Sequence, residues 1–323
     1  MELALRPMST SQVLDRTFHI YRNHFVLLAG IGSLLPAMLL VMQLAFIPLG
    51  FPPRATAKTT PEALAILLLG YFCCYGVIYL VGTALAGGAT VVGVSKLHLG
   101  QGVTIGEAYK QVFSRFWRII GVIALLGLIV FGSLFVGEFI AVIVVAFSVG
   151  STTVFARGGG ALMGIGVVVA IIWAVAVFLG AVGAALFFYS KLALAIPACI
   201  LEQLPVGVAL RRSWHLTKGS VLRIMLVNLL TWVLGVILGF VLTVPGQVLA
   251  ATLPSKAQLL GLVLQHIGGF IAGVLAGPIA TTAIALIYYD QRVRKEAFDL
   301  QHMMELMGQQ AAPPPQAAAP SIG

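Results

Sequence analysis

Charge is scarce in this chain. Only 9% of its residues are Asp, Glu, Lys or Arg, against 60% hydrophobic ones; a soluble domain carries about 25% and roughly 45–50%. A soluble fold of 323 residues must clothe its surface in charge, so that class is excluded. Hydrocarbon has to replace water over most of the surface. Cysteine is scarce too. Cys73, Cys74 and Cys199 show no CxxC and no Cys/His metal spacing. That excludes a disulfide framework and a cysteine metal site, and it leaves small residues of an apolar interior. Catalytic signatures are missing as well: there is no GxxxxGK[ST], HExxH or GxSxG. His19, His24, His98, His215, His266 and His302 are scattered, and none pairs with a carboxylate at helical spacing inside an apolar run. The loop from Arg157 to Gly160 lacks the Lys-Ser/Thr of a phosphate loop and reads as a turn. Nothing in the chain calls for a metal or cofactor.

What is present is long apolar runs. Six can be drawn, at residues 25–49, 64–92, 119–149, 161–189, 221–244 and 259–289. A bilayer core needs about 20 helical residues, so each can cross. The runs are continuous rather than alternating, which predicts helices and not a β-barrel. The first run is too long for the apolar region of a cleavable signal. The expected fold is an all-α integral membrane protein with about six transmembrane helices. One polytopic domain covers residues 1–307, and an Ala- and Pro-rich tail at 308–323 is expected to be disordered.

The formal charge of +9 has a topological explanation that needs no nucleic acid. Arg6, Arg16 and Arg22 precede the first span. Lys96, Lys110, Arg115 and Arg118 lie between the second and third. Lys191, Arg211, Arg212, Lys218 and Arg223 lie between the fourth and fifth, and Arg292, Arg294 and Lys295 follow the sixth. The other side has Arg54, Lys58, Arg157 and Lys256. Positive charge gathers in the cytoplasm. The expected location is therefore the inner (plasma) membrane, crossed several times with both ends cytoplasmic.

A short amphipathic segment precedes the first, third and fifth spans. Leu14, Phe18, Tyr21 and Phe25 are spaced by 4, 3 and 4; so are Ile105, Tyr109, Val112 and Phe116, and Leu210, Trp214, Thr217 and Val221. That spacing places four residues on one helical face. Thr104 and Glu107 form a capping box. One column is always aromatic (Phe18, Tyr109, Trp214). We read three repeated units, each an interfacial helix followed by a transmembrane hairpin.

Tyr288-Tyr289-Asp290 through Phe298-Asp299-Leu300, the stretch from Leu210 to Gly219, and the stretch from Val13 to Arg22 together resemble the bacterial family named for the membrane domain of glycerophosphoryl diester phosphodiesterase. The resemblance spans nearly the whole chain except the tail. It implies a membrane module and not the enzyme. A phosphodiesterase barrel needs about 250 residues, and the stretch after the last span is far shorter.

Glu138 is the one acidic residue well inside a span, and such residues are functional candidates. Asn228, Gln247, Gln265 and His266 are possible partners for it, and a structural hydrogen bond is the alternative role. Gly269, Gly273 and Gly277 form GxxxGxxxG, and Gly235 with Gly239 forms GxxxG. Such runs predict close packing of the fifth and sixth helices or a dimer face, and Pro278 predicts a kink. The basic inner face, comprising Arg211, Arg212, Lys218, Arg292, Arg294 and Lys295 with the aromatic column, is the candidate lipid interface. The expected function is a non-catalytic module that binds anionic lipid, or a membrane or cytoplasmic protein partner, at that face. The alternatives are a small-solute or lipid transporter using Glu138, and a membrane-embedded enzyme acting on lipid.

Overall fold

A computed structural model of the chain describes residues 8–49, 60–155 and 160–296. The tail beyond residue 307, and the outer-side Arg54, Lys58 and Arg157, lie outside the described residues. Every described element is helical. Three short helices each precede a long span: α1 (Thr10–Asn23), α6 (Ile105–Phe113) and α10 (Val206–Thr217). The first span is a bent pair, α2 (Phe25–Gly32) and α3 (Leu34–Phe46). The second is α4 (Pro61–Gly82), a π-helical segment (Thr83–Gly87) and α5 (Gly88–His98). α7 (Phe116–Phe155) and α8 (Gly160–Leu192) form one hairpin, followed by the short α9 (Ala195–Leu201). α11 (Val221–Thr252) and α12 (Ser255–Glu296) form the last hairpin. Five helices are long and apolar enough to cross a membrane, or six with the bent pair taken as one span. The membrane fold expected from composition is therefore the observed one.

The short helices start where the sequence provides caps. At α6, Thr104 accepts from the Glu107 amide and the Glu107 carboxylate accepts from the Thr104 amide. That backbone bond holds the Glu107 carboxyl below the usual carboxylate range. Ser9 and Gln12 make the same reciprocal cap at α1. The residues facing the interior lie one position before the aromatic column. Thr17, Ala108 and Ser213 are all fully buried. Phe18 and Trp214 are each 46% exposed, and the Tyr109 hydroxyl donates to the Ile31 carbonyl. A small residue lets each short helix lie flat on the bundle; the neighbouring ring is partly exposed in α1 and α10, while in α6 Tyr109 packs against the core.

Two apolar cores form where these short helices meet the ends of the spans. One gathers Val13, Leu28, Leu216 and Tyr288; the other gathers Ile31, Val112, Ile119 and Ile200. Away from the cores the spans turn large apolar side chains outward, such as Leu69, Phe131, Phe135 and Phe139. Cys73 and Cys74 are exposed on α4 rather than interior, and Cys199 is buried.

Glycine sets the helix spacing at positions other than those expected. A Cβ on Gly268 would lie 2.0 Å from the Leu242 carbonyl oxygen, one on Gly246 2.3 Å from the Gln265 nitrogen, and one on Gly261 2.3 Å from the Ala250 nitrogen. These three bring the α11 and α12 backbones together. Gly239 and Gly277 face open space, and Gly235 and Gly269 make only ordinary contact distances. Gly273 is tightly packed, but against Pro36 of α3. Of the GxxxG runs, Gly235 and Gly269 thus do lie at the α11–α12 contact, facing Ala276 and Thr243, but the closest backbone approach is made by Gly246, Gly261 and Gly268.

Candidate functional site

The most polar region of the molecule is the end of α12 that the charge bias assigns to the cytoplasm. Tyr288, Tyr289 and Asp290 each tie a different element to it. The Tyr288 hydroxyl donates to Glu202, just after α9. Tyr289 shares a hydrogen bond with Ser95 of α5. Asp290, with its side chain fully buried, accepts from the Met8 amide at 2.7 Å, from Arg223 Nη1 at 2.7 Å and from Arg294 Nε at 3.0 Å. Arg223 and Arg294 also donate to the Met8 carbonyl. A buried carboxylate is tolerable only when its oxygens are filled this way. The tripeptide that carries the family resemblance is thus a structural knot.

A second cluster lies beside the first. Arg212 grips Glu202 through Nε at 3.0 Å and Nη2 at 3.1 Å, and it reaches Glu296. Arg292 Nε lies 3.2 Å from Glu296. Arg212, Arg292 and Arg294, grouped in the sequence as possible lipid contacts, are therefore engaged by the chain's own carboxylates. The glutamates hold the Arg212 guanidinium above its usual range and are themselves filled.

Beside these clusters, Lys191, Lys218 and Lys295 make no ion pair among the described residues. Lys191, at the end of α8, is only 8% exposed. Its ammonium lies 4.7 Å from the Trp214 ring centroid and 5.8 Å from that of Phe187, in reach of cation–π attraction. Its carbonyl accepts from Ser213 at 2.8 Å, which fixes the turn. Lys295 donates to the His215 carbonyl at 3.0 Å and the Lys218 carbonyl at 2.7 Å, at the end of α10. Lys191 and Lys218 are the cations that act on Lys295. Lys218, Lys295 and Trp214 were legible in the sequence as candidates. Lys191 was missed as a site residue, because it sits at the end of an apolar span and only the fold turns Trp214 over it. Arg211 is exposed on α10.

Glu138 is exposed on α7, between the exposed Phe135 and Phe139. Asn228 instead donates to Ser190 across α11 and α8. No described cavity is lined by Glu138. Among the described residues no cluster of His, Cys, Asp and Glu could hold a metal.

No curated protein and no solved structure matches the chain. Residues 166–313, from α8 through α12 and onward, match the family model described as the membrane domain of glycerophosphoryl diester phosphodiesterase. That stretch contains the Leu210–Gly219 and Tyr288–Leu300 segments quoted for the resemblance, so the similarity to that membrane domain lies in residues 166–313, and the Val13–Arg22 segment falls outside it.

Proposed function

We propose that this chain is a non-catalytic module of the inner membrane that binds the phosphate of an anionic lipid in the cytoplasmic leaflet. The observation that carries the reading is Lys191: a buried ammonium under Trp214, near Lys218 and Lys295, with no ion-paired carboxylate among the described residues. Three cations gathered with no described acid between them suit an anion, here the phosphate of a lipid. Lys295, already fixed by two carbonyls, keeps one N–H for that anion. Trp214, 46% exposed, supplies the apolar ring and polar edge that suit the headgroup level. The basic bias of the same face supports a cytoplasmic orientation. The family match supports a membrane module, and the knot at Tyr288–Asp290 accounts for the motif without chemistry.

The test is native mass spectrometry of the detergent-purified protein with added phosphatidylglycerol or phosphatidylcholine. The phosphatidylglycerol adduct should dominate. Each lysine near the surface contributes about 1 kcal/mol, so Lys191→Gln, Lys218→Gln and Lys295→Gln should each weaken it by about fivefold. Equal retention of both lipids, or a preference untouched by the three substitutions, would sink the reading. A protein co-purifying in place of lipid would transfer the face to a protein partner.

A further inference from the structure

A cavity of about 300 Å³ lies between α3, the π-helical segment with its flanks, and α12. Three departures from regular helix meet there: the 43° bend between α2 and α3, the π-turns at Thr83–Gly87, and Pro278 inside α12. Pro36 and Pro278 have no N–H, so the carbonyls of Gly32 and Val274 lose their usual helical donor. The two prolines also lock the walls together. A Cβ on Gly32 would lie 2.4 Å from Pro278 Cγ, and one on Gly273 would lie 2.8 Å from Pro36 Cγ. Each ring thus fills the notch of a glycine on the opposite helix. π-turns inside a span commonly accompany function.

No ionisable side chain lines the cavity. The Thr90 and Thr281 hydroxyls donate within their own helices, to Ala86 at 2.7 Å and Gly277 at 3.2 Å; the Thr83 hydroxyl is buried without a hydrogen-bond partner, and Gln43 adds an uncharged amide to the wall. What remains facing the space is largely apolar, with Leu35, Leu39 and Phe270 among the walls. Along α12 the lining residues run from Thr281, about 14 Å from Asp290, to Gly269, about 32 Å from it, at 1.5 Å per residue; if Asp290 marks the inner boundary of a hydrocarbon layer about 30 Å thick, the cavity occupies its outer half. Gly269 and Gly277 are exposed, so the cavity opens sideways out of the bundle. What reaches an uncharged opening at that depth is hydrocarbon.

We infer that this cavity is a binding site for one acyl chain of a membrane lipid, inserted between α3 and α12 against the π-helical segment. Uncharged walls reject a phosphate, so the headgroup stays outside. The site is separate from the lysine cluster, which lies at α8, α10 and the end of α12, and the inference does not depend on that reading.

The experiment uses the full chain in phosphatidylcholine nanodiscs doped with a phosphatidylcholine carrying a photoactivatable diazirine in its acyl chain. Cross-linked residues are then mapped by peptide mass spectrometry. Labelling at Leu39 and Phe270 should saturate as the probe fraction rises, while labelling at Phe131, exposed on α7, rises in proportion. A Cβ on Gly277 meets nothing within 4 Å, so Gly277→Leu should plug the cavity and cut the saturable labelling at least tenfold, leaving Phe131 unchanged. Proportional labelling at Leu39 and Phe270 in the wild-type protein would overturn the site without recourse to a variant. So would a plugged protein, still folded by circular dichroism, that labels as before.

Discussion

Asp290 shows why a chain so poor in charge keeps some of it buried. Its carboxylate is filled by Arg223, Arg294 and the Met8 amide, so removing it strands a buried guanidinium. Asp290→Ala should cost about 3–5 kcal/mol, read as a large fall in the thermal midpoint of the detergent-solubilised protein. Lys191→Gln should leave that midpoint nearly unchanged and lose lipid, because among the described residues no carboxylate pairs with it. Little of this was legible at the level of single residues. Asp290 with Met8, and Arg212 with Glu296, are joined across long stretches of chain, and helical spacing brings only near neighbours together. The positive bias was readable as a sum, whereas which cations are already engaged was not.

At the scale of elements, the short helices and the spans follow from local rules. The Thr104–Glu107 cap was visible in the sequence and is present in the structure; the spans follow from unbroken apolar runs. Which face a helix buries was less accessible. The expected apolar faces of α1 and α10 carry the partly exposed Phe18 and Trp214, while Thr17 and Ser213 go inward. A hydrocarbon surround rewards an outward aromatic ring, so apolar periodicity marks the side facing lipid as readily as the side facing protein. Glycine behaved likewise. The closest backbone approach uses Gly246, Gly261 and Gly268, outside the GxxxG register. Gly268→Val should therefore force α11 and α12 apart and lower the yield of monodisperse protein, whereas Gly239→Ala, which meets open space, should be silent. Comparing the two by size-exclusion chromatography checks the assignment.

For the whole molecule, composition settled the class and the structure agrees: helices long and apolar enough to cross a membrane. Pairing between distant elements, the π-helical segment and the cavity were beyond reach of the sequence, since they depend on how helices meet. Orientation is open to direct measurement. With Cys73, Cys74 and Cys199 replaced by serine, a cysteine at Thr252, the last residue of α11 before the turn into α12, should react with a membrane-impermeant maleimide added to intact cells. One at Gln101, between α5 and α6, should react only after permeabilisation. The reverse pattern would place the lysine cluster on the outer leaflet and remove the lipid argument with it.

The hydrogen bonds at Met8 join residues 282 positions apart. The backbone around Met8 is held by Arg223 at the start of α11 and by Asp290 and Arg294 at the end of α12. None of those partners exists while the first four spans are being made. During synthesis, then, the segment leading into α1 must wait undocked at the membrane until the last helix has emerged. Its capture is the step that turns a row of inserted helices into a closed assembly.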